Sequence, residues 1–351
     1  MAAYTTIDKS SDYFNTKLYT STNSELAISG IGFAPNWVWI KSRSDAHDHH
    51  IYDTVRGATK QLNSLNTDAE ATRAQGLKSF DSDGFTLGTD GNVNESGNET
   101  YLSWNWLAET SFTNDASATS VGTIDSTGSV NDTAGFSIIS YTGTGANGSI
   151  KHGLSTAPRA MFFKNLEEGA EGWFVYHESV GNTKRAGLLN ETGAPSTSST
   201  FFQDTSPTSS IITLGSNHGC NGPDKMICYA FAEKQGYSKF RSYTANSDSS
   251  NFIYTGFKPA WLMVKQIESG GNINWGIFDN KRPGFNTGNG FLYANTNAAE
   301  DTSNATSIDL LSNGFQLRAN TVGSNPTKDY IYFAFAENPF VTSKGVPTPA
   351  R

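Results

Sequence analysis

The chain has 351 residues, enough for two or three domains, and with 36% apolar residues and 34 glycines it can bury sizeable cores. Only 17% of residues are charged, the formal net charge is −8 and no Lys/Arg cluster occurs, which excludes a nucleic-acid footprint and argues against both long solvated helices and disorder. No window approaches the roughly 18 apolar residues of a membrane-spanning helix, and Met1–Thr6 lacks the basic flank and apolar stretch of a secretory leader. A soluble protein outside the secretory route is expected, with neither membrane nor nucleic acid as a partner.

In chain order, the first predicted strand ends at Tyr19. Pro35 follows, and then the run Trp37–Ile40 closing on Lys41. An unbroken apolar run between turn signals predicts a central strand buried on both faces. Proline suits its entrance, where a missing N–H is tolerated. A shorter strand, Ile51–Asp53, comes next, then Leu65-Asn66. Thr67–Glu70 matches a capping box, so one or two turns of surface helix are expected over Ala71–Ala74. Asp83-Gly84 then turns tightly into Phe85–Leu87, because glycine accepts positive φ freely. The apolar run Leu102–Leu107 leads into Ala108-Glu109.

Thr110 to Thr133 is rich in Ser, Thr, Asn, Asp and Gly and predicts a flexible linker. Beyond it the same landmarks return: Phe136–Tyr141, Pro158 to Lys164, Trp173–His177, Leu189-Asn190, Ile211–Leu214, and Met226–Phe231 before Ala232-Glu233. Lys234-Gln235-Gly236 joins a third set: Tyr243, Pro259 to Lys265, Trp275–Asp279, Ala294-Asn295, Asn313-Gly314 into Phe315–Leu317, and Tyr330–Phe335 before Ala336-Glu337. Proline to lysine is 6 residues in every set, and tyrosine to proline is 16, 17 and 16. One module is therefore written three times. The copies occupy residues 1–109, 134–234 and 235–340, with the linker at 110–133 and an exposed tail at 341–351. Each is the size of a β-sandwich, and helical patterns do not alternate with the strands. The expected fold is all-β, in tandem antiparallel β-sandwich or jelly-roll-like modules. Copy one should be tethered, and copies two and three should pack as a tight pair or share a sheet.

Few residues suggest chemistry. Asp45-Ala46-His47-Asp48-His49-His50 has metal-ligand residue types, but adjacent residues rarely converge on one ion, so a solvated loop is expected. Asp81-Ser82-Asp83-Gly84 begins like a calcium loop and lacks the rest of the pattern, which leaves a tight turn. Gly143-Thr144-Gly145-Ala146-Asn147-Gly148 matches G-x-G-x-x-G without a following helix, which predicts a β-hairpin loop. Lys41, Lys164 and Lys265 are expected to snorkel to solvent at strand ends, and Glu109, Glu233 and Glu337 to hydrogen-bond there. Cys220 and Cys228 are expected as ordinary thiols, with a hairpin disulfide as the alternative. The strand aromatics, Trp104 and Trp261 among them, are expected to fill cores, with sugar-stacking platforms as the alternative. No catalytic, cofactor-binding or metal residue is assigned, and a non-enzymatic protein is expected.

The Pro-to-Lys strand, Asp83–Gly88, Trp104-Asn105-Trp106, Ala134–Gly148, His152-Gly153-Leu154 and Asn338–Ser343 together resemble uncharacterised repeat-domain structural proteins of marine tailed bacteriophages, including cyanophages. The resemblance covers nearly the whole chain. It implies a virion structural protein, such as a capsid decoration, fibre or tail appendage, assembled in the bacterial cytoplasm. Other virion proteins and further copies of the chain would be its partners. The alternative is a receptor- or glycan-binding tail adhesin that contacts the host surface. A polysaccharide depolymerase ranks third, because it needs two carboxylates about 5–9 Å apart across a cleft.

Overall fold

A computed structural model describes residues 5–181, 184–245, 251–268, 273–282, 290–302, 308–317 and 328–339. The tail at 341–351 lies outside them. Each copy folds as two antiparallel sheets, and the strand order of the larger sheet repeats. In copy one it runs Phe14–Thr20, Thr100–Trp106, Trp37–Ser42, His50–Asp53. In copy two it runs Phe136–Thr142, Lys225–Phe231, Ala160–Asn165, Phe174–His177. In copy three it runs Ser238–Thr244, Asp329–Ala336, Pro259–Gln266, Gly276–Asp279. The smaller, outer sheet pairs Leu26–Ser29 with Gly84–Leu87, Gly148–Lys151 with Ile211–Leu214, and Phe252–Tyr254 with Gly314–Leu317. The all-β, sandwich-like modules expected from the sequence are present.

Period-2 alternation explains why the central strands are apolar at nearly every position, since successive side chains leave a strand on opposite faces. Val38 and Ile40 point into the core of copy one, with Phe85 and Leu87 of its outer sheet. Met161 and Phe163 do the same in copy two, and Leu262 and Val264 in copy three. The intervening residues go elsewhere. Trp37, Trp39, Trp104 and Trp106 of copy one meet Phe162, Tyr229 and Phe231 of copy two, and Trp261, Phe333 and Phe335 of copy three. All belong to one cluster. Trp37 stacks on Tyr229 at 4.7 Å, Trp106 meets Trp261 edge-on at 5.7 Å, and Phe162 stacks on Phe333 at 5.3 Å. The three larger sheets thus close around a shared aromatic hub with approximate threefold arrangement.

Copy one is therefore not a module held at a distance. The stretch expected as a flexible linker is folded: Thr110–Asn114 pairs with Ser126–Asn131, which pairs with Phe136–Thr142, so both strands extend the larger sheet of copy two. Its threonines suit an edge strand as well as a linker, and the unpaired edge of Phe136–Thr142 supplies the partner that composition does not reveal. Copies two and three pack through the hub and keep separate larger sheets. The helix expected over Ala71–Ala74 is also replaced: Ala71–Thr72 pairs with Lys60–Gln61. Glu70 has tertiary commitments that override the capping box. Its N–H donates to Leu166 O of copy two at 2.9 Å, and its carboxylate accepts from Arg56 at 3.3 Å.

Truncating Trp106 should empty volume in the shared hub, where its ring packs on Phe14 and Trp37 of copy one and on Trp261 and Phe335 of copy three. Trp106→Ala is predicted to lower the unfolding free energy by about 3–5 kcal/mol, in a single transition seen equally by tryptophan fluorescence and far-UV circular dichroism in urea. A loss below about 1 kcal/mol would contradict a shared, close-packed hub.

Candidate functional site

The recurrent polar residues are buried in the seams between copies. The side chain preceding the fourth strand of each larger sheet reaches a backbone carbonyl of a neighbouring copy. Trp173 Nε1 donates to Asn63 O of copy one at 2.7 Å, and Trp275 Nε1 to Leu188 O of copy two at 3.0 Å. In copy one the position is His49. Its Nδ1 accepts from Trp39 Nε1 at 2.8 Å, which leaves Nε2 to donate to Tyr293 O of copy three at 2.9 Å. The last residue of that strand makes a second ring of contacts, in the opposite sense around the axis. Asp53 accepts from Tyr229 Oη of copy two at 2.7 Å, and Asp279 from Trp104 Nε1 of copy one at 3.1 Å. The third member, His177, donates from Nε2 to Tyr332 O of copy three at 3.2 Å.

The lysines do not reach solvent. Lys41, Lys164 and Lys265 are all buried. Lys164 Nζ donates to Glu171 O at 2.8 Å and to Thr67 O of copy one at 2.9 Å. Lys265 Nζ likewise donates to Ile273 O at 2.5 Å and to Thr192 O of copy two at 2.7 Å. Lys41 stays within its own copy, on Ser42 O at 2.7 Å and Asp45 O at 3.3 Å. Burial pushes each ammonium down to about 8. Snorkelling fails because backbone carbonyls take the place of water at each buried strand end, from the lysine's own copy and, for Lys164 and Lys265, from a neighbouring copy as well.

The histidine loop is likewise corrected: His49 and His50 are buried rather than solvated. Its imidazoles diverge, since His50 Nδ1 pairs with Tyr52 Oη at 3.1 Å while His47 stacks beside Tyr101. Asp83 is the turn residue expected, and its carboxylate accepts from Gly30 N at 3.0 Å and Gly32 N at 2.6 Å. Those N–H groups hold its pKa below the ordinary value. The loop at 143–148 runs into the strand Gly148–Lys151. It joins two different sheets instead of forming a hairpin, because Thr144 N and Ala146 O are tied to the buried Asn221 side chain at 3.1 and 2.5 Å. Cys220 and Cys228 are free and buried, and burial raises both thiols above their ordinary range. Glu233 accepts from Arg241 at 3.1 Å, Glu337 pairs with Lys258 at 2.7 Å, and Glu109 is exposed.

Two surface features remain. Glu168, Glu171 and His218 of copy two bring their ligand atoms within 4.8 Å of one another, a set able to hold one divalent cation. A cleft of about 520 Å³ is lined by Glu233, Gln235, Lys239, Tyr254 and Phe257, among others. Glu233 is its one carboxylate. Trp104 and Trp261 are buried, so neither is a surface platform. The exposed large hydrophobic side chains among the described residues are Phe252, at 42%, and Tyr254, at 57%. Sequence reading missed both, although alignment of the copies would have found them, with Ala27 and Ser29 in copy one and Ser149 and Lys151 in copy two at the paired positions.

The buried histidines set the response to acid. His152 Nδ1 accepts from Leu154 N and its Nε2 faces Thr208 O, both at 3.2 Å, so the neutral ring fits its partners. Burial depresses His50 and His152 to about 4 and His177 to about 3. The unfolded chain takes up these protons near pH 6.5 and the folded chain does not. Their stabilisation is present above pH 6.5 and is lost as pH falls through the folded values. The urea midpoint should drop between pH 6.5 and 4, and His177→Gln should shallow that drop. A midpoint flat over this window would refute the assignment.

No curated protein matches the chain. The model of a family described as a domain of unknown function, DUF7483, matches residues 9–339. Nearly all of the repeat, hub and seams described above fall inside that match, and the chain belongs to the DUF7483 family.

Proposed function

We propose that this chain is a non-enzymatic structural protein of a tailed-bacteriophage virion, acting as a capsid decoration, fibre or tail appendage. The observation that carries this reading is where the repeated polar residues go. Lys164, Lys265, His177, Asp53 and Asp279 are all buried and bonded across copy boundaries, as an architectural element requires and a catalytic centre does not. A body with one common hub resists local opening, which suits a particle surface. The resemblance to marine phage structural proteins supports the same reading. Other virion proteins and further copies of the chain would be its partners.

One observation favours a second reading, a receptor- or glycan-binding tail adhesin: the exposed pair Phe252 and Tyr254, of which Tyr254 also lines the cleft. The depolymerase reading gains less, because the cleft brings a single carboxylate and that one is paired with Arg241.

The test is mass spectrometry of purified virions from the phage that encodes the chain. The protein should be present as a stoichiometric component, and immunogold labelling should place it on capsid or tail. Its absence from purified particles would overturn the proposal.

A further inference from the structure

We infer that the outer sheet of copy three carries a saccharide-binding face, built on Phe252 and Tyr254 and the adjoining cleft, for a chain of pyranose units. The inference takes its ligand class from the adhesin reading and is independent of the virion assignment.

The strand Phe252–Tyr254 pairs with Gly314–Leu317 in the register Phe252 to Gln316, Ile253 to Phe315 and Tyr254 to Gly314. Its counterparts are Ala27-Ile28-Ser29 against Gly84–Thr86 in copy one and Ser149-Ile150-Lys151 against Ile211–Thr213 in copy two. The central isoleucine is buried in all three, as the module core requires. The flanking positions are exposed in copies one and three, while in copy two Ser149 is buried and Lys151 half-buried, and only copy three fills them with aromatic rings. Since the fold is built twice without those rings, the module does not require them. Two large apolar side chains left 42% and 57% exposed carry a hydration cost that the fold does not recover.

The local geometry suits a flat ligand. Alternate residues of a strand lie about 6.6 Å apart on one face, so the two rings form a short platform. A Cβ built on Gly314 would lie 2.8 Å from Phe252 Cζ and 2.9 Å from Cε2, so the Phe252 ring lies across a position that only glycine leaves open. Lys239 Nζ stands 5.0 Å from the centre of the Tyr254 ring. Tyr254 also lines the cleft, where Gln235 and Lys239 bring donors and Glu233 an acceptor held by Arg241. Aromatic faces with a few convergent polar groups beside them match the two-sided character of a pyranose, apolar C–H faces with a rim of hydroxyls. The copies also differ beneath this face, with Asn15 and Ser137 at the place of Lys239, each bonded to its own backbone loop.

The test uses the full chain on a panel of immobilised bacterial surface polysaccharides together with cellohexaose and chitohexaose. The wild-type protein should bind at least one polysaccharide or oligosaccharide on the panel. Phe252→Ala and Tyr254→Ala should each weaken that binding about tenfold, and the double variant about a hundredfold. Thermal melting should not change, because both rings are on the surface. Failure to bind anything on the panel would overturn the inference, as would full binding by the double variant. A wild-type oligomer that the double variant dissolves, with no glycan bound by either, would also overturn it and assign the face to protein contact. None of these results bears on whether the protein is found in the virion.

Discussion

The hub of tryptophan and phenylalanine at the centre of the three copies is the constraint on which the rest of the structure depends. Each central strand is apolar on both faces, and the single outer sheet of a copy covers only one of them. The other face, with Trp37, Trp106, Phe162, Phe231, Trp261 and Phe335, has to be covered by the remaining copies. Aromatic side chains carry large apolar areas and pack edge-on or offset, which lets three twisted sheets meet without a regular interface. Once the sheets close, whatever polar groups sit at their margins are taken out of water and have to find partners. The buried lysines, histidines and indoles of the seams follow from that requirement. Their recurrence reflects equivalent positions around the axis rather than shared chemistry.

The departures from threefold equivalence are informative for the same reason. Where Trp173 and Trp275 reach across a seam, copy one uses His49, backed by Trp39. Where Asp53 and Asp279 take a proton donor from the next copy, copy two uses His177, which donates instead and lies edge-on to Phe333 at 5.0 Å. In both cases the substitution preserves a bond between copies, so architecture constrains these sites. The outer sheets are under no such constraint. There the copies differ, and the aromatic pair of copy three stands out because the same positions hold Ala27 and Ser29 in copy one and Ser149 and Lys151 in copy two.

Much of the module was legible in the sequence. The Pro-to-Lys spacing, the alternating runs and the Asp-Gly and Asn-Gly turns correspond to strands and turns that are present. Two landmarks were less secure. Asn190 and Asn295 accept the backbone N–H of Trp173 and Trp275 at 2.8 and 3.0 Å, yet Leu65-Asn66 is displaced by one residue from that role, because register across an irregular segment is set by pairing and not by residue type. The Thr110–Asn131 strands looked like a linker because edge strands and linkers share a polar, threonine-rich composition. The hub itself was not legible. An apolar run declares that both its faces are covered without saying what covers them, and that one omission led to the tethered first copy, the solvent-seeking lysines and the solvated histidine loop.

The central claim is that the three copies are one cooperative body. Native-state hydrogen exchange in low urea measures this most directly. The amides of Thr100–Trp106, Lys225–Phe231 and Asp329–Ala336 should exchange through one opening, with a common free energy and a common urea dependence. Exchange of the copy-one strand through a separate, lower-energy opening would contradict the account, since it would mean that copy one unfolds while the other two keep their side of the hub.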